Sequence, residues 1–169
     1  ASCLVGSEMC IRDRFNISVV NANEIFNLLK IPNLEIYNTN SLNGLKYLYA
    51  ESNFKIGLKK NISCNKSKKK ELDKKYPIVE KNLNKYKADF LIKNNLKFII
   101  LCENLTVSSI NTGGIPNILK RSLILDINFN QKHFERMIHH EFFHMIQAKH
   151  NMIFDEALWS KFNRTSFKY

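Results

Sequence analysis

Apolar and polar positions along the chain follow two periods, and the changes between them mark its elements. Ile25, Phe26, Leu28 and Leu29 cluster as on one face of a short helix over residues 23–30, which stops before Pro32. Leu34-Glu-Ile-Tyr37 alternates as a strand does. Residues 41–58 leave two readings open. Leu42, Leu45, Leu48 and Tyr49 line one helical face, while Gly44, Gly57 and the aromatic residues suit strands. Helical spacing returns over residues 66–94, where Ile78, Val79, Leu83, Tyr86, Phe90 and Leu91 recur at three- and four-residue steps. Pro77 there fits a first helical turn or a break just before it. Lys97-Phe-Ile-Ile-Leu-Cys102 is a compact apolar run ending at Glu103-Asn104 and predicts a buried central strand. A further strand is expected over residues 105–110, a turn over Thr112-Gly-Gly-Ile-Pro116, and a strand over residues 121–127.

Residues 128–130 lead directly into a long helix. Asn130 is its expected N-cap, and Phe134, Ile138, Phe142, Met145 and Ile146 form the apolar stripe that buries one side. Strands and helices are thus segregated along the chain. That order predicts an α+β domain, a small mixed sheet with helices on one side.

The same helix carries His139-His140-Glu141-Phe142-Phe143-His144, which contains the pattern H-E-x-x-H. Residues four apart share a helix face, so His140 and His144 can direct ring nitrogens at one metal ion, zinc by preference. At about 100° per residue both fall away from the apolar stripe. Glu141 points toward the same side, too far round to be a third ligand but placed to act on a water at the metal. Zinc lowers the pKa of such a water from about 15.7 to roughly 7, and the carboxylate takes its proton as it attacks a carbonyl carbon.

Composition changes the picture at the ends. Residues 1–14 contain no Lys and no Asn, although both crowd the rest of the chain, and they hold two of the four Cys. The string resembles translated sequencing-adapter read-through and is set apart as a non-native N-terminal artefact, the other reading being a native flexible arm. Residues 15–169 are then one domain, expected to be truncated at the C-terminus and at the N-terminus too, so compartment is not readable. Setting aside Cys3 and Cys10 leaves Cys64 and Cys102, whose spacing argues against a disulfide framework. Cys102 reads as a small core residue. No apolar run reaches the length of a membrane span, so the domain reads as soluble.

The formal net charge is +11, to which residues 1–14 add nothing because Arg12 and Arg14 cancel Glu8 and Asp13. The excess is mostly Lys spread along the chain, densest at residues 66–75, with no basic-aromatic pattern of a nucleic-acid module. The cluster therefore reads as a solvated helix face or loop, and no nucleic-acid partner is expected.

Residues 98–169 resemble a group of bacterial zinc metallopeptidases of zincin fold, most of them uncharacterised. The likeness rests on Ile100-Leu-Cys-Glu-Asn-Leu105, Gly114-Ile-Pro116, Leu123-Ile-Leu-Asp126, the histidine motif, and Trp159 through Asn163 to Phe167-Lys-Tyr169. It implies a zinc-dependent peptidase acting on a peptide or protein substrate, with His140 and His144 as ligands and Glu141 as general base. In a zincin an edge strand holds the extended substrate by strand addition, here residues 106–110 or 115–119.

Such a site needs a third protein ligand. It is expected beyond Tyr169, with weaker candidates inside the chain. His150 lies six residues after His144, as in the metzincin pattern, but Gln147 stands where that pattern has Gly. Glu156 or Asp155 reaches the metal only if the chain reverses, and otherwise caps a helix over residues 155–162. His139 reads as a surface or supporting residue and His133 as solvent-facing. Asp126 either orients an imidazole or closes a strand-end turn. Two rival functions stand beside the peptidase: a non-catalytic zincin-like binding domain, and a basic nucleic-acid-binding protein with a chance motif.

Overall fold

The computed structural model describes residues 34–38, 40–57 and 60–150. Its centre is β5 (Phe98–Val107), the apolar run expected to be buried. The first half of β5 lies between two parallel neighbours, β2 (Lys46–Ala50) and β8 (Ser122–Asp126). Antiparallel strands close the sheet outside them: β1 (Leu34–Asn38) on β2, and β7 (Gly114–Asn117) on β8. At Glu103-Asn104, where Asn104 has a φ of 52° that Asn tolerates, β5 changes partners. Its second half pairs antiparallel with β4 (Ile62–Asn65), which in turn carries β3 (Phe54–Ile56), and with the short β6 (Ile110–Asn111).

Strand alternation divides the core. Ile99 and Leu101 of β5, with Leu123 and Leu125 of β8, face three helices: α1 (Lys69–Leu83), α2 (Ala88–Lys93) and α3 (Gln131–Lys149). Ile100, Cys102, Ile115 and Ile124 face the other way, onto Phe54, Ile56, Ile62 and Cys64 of the β3-β4 hairpin. The described residues are therefore α+β, a mixed sheet with their helices on one face, as the segregated element order predicts. Phe134, Ile138, Phe142 and Met145 of the α3 stripe are fully buried, each burial contributing about 1.5–3 kcal/mol.

Several expectations need correction. At residues 41–58, where the sequence leaves helix and strands both open, the chain takes the strand reading and forms β2 and β3. Residues 105–110 are no separate strand: β5 runs through Glu103-Asn104 to Val107 and turns at Ser108-Ser109 into β6. Pro77 sits inside α1, at neither its first turn nor a break, and Tyr76, Ile78 and Val79 around it pack into the core. The segment expected to turn at Thr112-Gly-Gly-Ile-Pro116 is mostly β7, where Pro116 is tolerated because the strand is an edge among the described strands. Cys64 and Cys102 form a disulfide, contrary to the reading of their spacing. Pairing of β4 with β5 brings their Cα atoms to 5.9 Å across a separation of 38 residues. The expected helices at residues 23–30 and 155–162 lie outside the described residues. Among the described residues no helix is long and apolar enough to cross a membrane.

Candidate functional site

α3 starts where Asn130, in extended backbone, turns its side-chain oxygen onto the N–H of His133 at 3.0 Å. That bond satisfies one of the donors a helix N-terminus leaves unpaired, as expected of the N-cap. The apolar stripe then fixes the rotation of the helix against the sheet. His140 and His144, half-buried, are left side by side one turn apart. Their Nε2 atoms are 3.0 Å from each other, and the rings meet edge to face with centroids 4.5 Å apart. Two nitrogens on one tetrahedral ion, with metal–nitrogen bonds of about 2.0–2.1 Å, lie about 3.3 Å apart. The pair thus has nearly the separation that a shared ion requires. On its far side, His144 directs Nδ1 at the Oε1 of Gln147, 2.9 Å away.

Glu141 lies between the two histidines in sequence and is only 2% exposed. It packs against β7. A methyl group on Gly114 would stand 2.6 Å from Glu141 Cγ, 3.2 Å from its Cδ and 3.2 Å from Leu125 Cδ2, so this approach needs glycine. Gly113 beside it makes a similar approach to Met137, whose Sδ a methyl group would overlap. Of the two candidate edges, it is β7 that lies on the motif helix.

His139 points to the other side of α3. Its Nδ1 is 2.8 Å from the Tyr86 hydroxyl and its Nε2 3.1 Å from Asn82 Oδ1. Asn82 donates from its amide nitrogen to the carbonyl of Ile78, so its oxygen faces His139 as an acceptor. The imidazole therefore carries its proton on Nε2, and Tyr86 donates to Nδ1. Burial holds the His139 pKa below its ordinary 6.5, Lys85 adding to the effect and Glu135 opposing it. This ring ties α3 to Asn82 near the end of α1 and to Tyr86 beyond it.

The remaining candidates divide. His150 directs Nε2 at Asn94 Oδ1, 3.0 Å away at the end of α2. Among the described residues no group of three or more His, Cys, Asp or Glu is arranged to hold a metal. Asp155 and Glu156 lie outside the described residues. His133 is exposed and stacks on Phe129 at 4.8 Å. Asp126 closes the strand-end turn: Oδ2 accepts from the N–H of Leu105 and Oδ1 from that of Asn128, both at 2.9 Å. Burial raises its pKa, and Glu103 adds to the rise against the pull of those backbone donors.

Two contributors escaped the sequence reading. Gln147 had a usable signal, being three residues after His144 on the same helix. Gly114 had none, because its need for glycine comes from β7 meeting α3. Comparison of the chain with protein-family models, with curated proteins and with solved structures finds no match.

Proposed function

We propose that this chain belongs to a zinc-dependent metallopeptidase with a zincin-like arrangement, in which His140 and His144 hold the metal through Nε2. The observation that carries the reading is the convergence of those two nitrogens at 3.0 Å, with Glu141 on the same helix turn pressed against an edge strand. When bound, zinc would polarise the scissile carbonyl and make water acidic enough to attack near neutral pH. The carboxylate of Glu141 accepts the proton of the attacking water and returns it to the leaving amine nitrogen. Gly114 holds Glu141 in place from behind. β7 pairs with β8 on one side, and among the described strands its other side is unpaired. An extended peptide adds to that side as a further strand, its main chain bonding to β7 and its scissile bond running past Glu141.

The test is Glu141→Gln in the full-length natural protein. It should abolish peptide hydrolysis and leave zinc bound, since the substitution keeps the shape and removes only the base. Cleavage at the parental rate would refute the assigned role. A binding domain on the same scaffold is the second reading. Full-length protein that binds peptide but hydrolyses none, with zinc present, would favour it.

A further inference from the structure

We infer that Gln147 is a positioning residue for the metal site, fixing the ring tautomer that leaves His144 able to bind. The inference rests on the zinc reading of His140 and His144. Gln147 is an amide on the body of α3, 7% exposed, next to the stripe residues Met145, which is buried, and Ile146, which is half-buried. Burying an amide is unfavourable unless its polar atoms are bonded, and an apolar residue there would serve the core better. What the amide gains is the 2.9 Å contact between its Oε1 and His144 Nδ1.

An amide oxygen only accepts, so the proton of a neutral His144 must sit on Nδ1 and its lone pair on Nε2. That lone pair is the one aimed at His140. It follows that the 3.0 Å contact between the two Nε2 atoms is donated by Nε2–H of His140 while no metal is bound. The two ligands are therefore prepared differently. His144 is set for coordination before a metal arrives, whereas His140 must move its ring proton from Nε2 to Nδ1 as it binds. Outer partners of this kind fix ring orientation and raise ligand basicity, and losing one typically costs about 10–100-fold in metal affinity.

The experiment uses full-length protein with ¹⁵N-labelled histidine, first freed of metal by a chelator and then titrated with zinc against a competing chelator. Long-range ¹H–¹⁵N correlations should show the wild-type His144 proton on Nδ1. Gln147→Leu should lose that preference and bind zinc about 10–100-fold more weakly. Gln147→Glu, which keeps an acceptor at the same reach, should retain both the tautomer and the affinity. A wild-type His144 protonated on Nε2 would overturn the inference. So would a folded Gln147→Leu variant with wild-type tautomer and affinity while the wild type binds zinc. Wild-type protein that binds no zinc, with the Nδ1 proton still in place, overturns it through its premise and identifies the zinc reading as the part that failed.

Discussion

Gly114 offers a direct handle on the candidate base, because the residue that would be changed is neither ligand nor base. Gly114→Ala adds one methyl group 2.6 Å from Glu141 Cγ, where carbon atoms ordinarily rest about 3.5–4.0 Å apart. Glu141 must therefore retreat by roughly 1 Å. It has little room, being 2% exposed and packed against β7. Overpacking of this kind typically costs about 1–3 kcal/mol in stability. The larger consequence is for chemistry: a reacting group displaced by about 1 Å loses on the order of 100-fold in rate, or about 2.7 kcal/mol at the barrier. Gly113→Ala is the control. Its methyl group meets the Met137 thioether and not Glu141. Urea denaturation and kcat for a cleaved peptide, measured on both variants, separate the two effects. Both should be destabilised by similar amounts, and only Gly114→Ala should lose about 100-fold in kcat. Equal losses of kcat in the two variants, or wild-type kcat in Gly114→Ala, would refute the positioning of Glu141 by β7.

Three further outcomes follow from the fold. Breaking the Cys64–Cys102 disulfide, which spans 38 residues, should cost about 4 kcal/mol by loop entropy and lower Tm by roughly 10 °C. Melts with and without reductant check this, and a Cys64→Ala/Cys102→Ala double variant should be indifferent to reductant. His139 has a folded pKa below its unfolded 6.5, so as pH falls through 6.5 the unfolded chain takes up a proton that the folded ring resists. Chelator-treated protein should lose stability between about pH 7 and 5.5, and His139→Phe should flatten that slope; an unchanged slope would contradict it. Asp126→Asn replaces one of two backbone-facing acceptors with a donor and should cost about 1–3 kcal/mol in urea denaturation, a change near zero counting against the brace.

The parts legible in the sequence are those whose pattern is local. The apolar run at residues 97–102, the strand over residues 121–127, the Asn130 cap and the α3 stripe each announce themselves within a few residues, and each stands where expected. The failures share a cause, which is that distant packing decided them. Gly113-Gly114 and Pro116 carry turn chemistry locally, yet an edge strand accepts Pro, and the close approach of α3 selects the glycines. Glu103-Asn104 looked like a strand end. Glu103 instead accepts the N–H of Lys68 at 2.8 Å, beside the start of α1, while the strand continues past it. Cys64 and Cys102 gave no sign of pairing because the register of β4 on β5 is not written in either segment. At the site, the spacing of His140, Glu141 and His144 was readable, and the side-by-side placement of the two rings agrees with it. The close approach of Gly114 to Glu141 required the structure.

The most direct test of a zinc site on α3 is the zinc stoichiometry and affinity of full-length natural protein, measured by competitive chelator titration alongside His140→Ala and His144→Ala. A zinc peptidase of the proposed design binds about one zinc per chain, and each substitution weakens binding by well over about 100-fold while the fold persists by circular dichroism. Wild-type protein that takes up no zinc, or histidine variants that bind it as tightly as the parent, would contradict the assignment of His140 and His144 as its ligands.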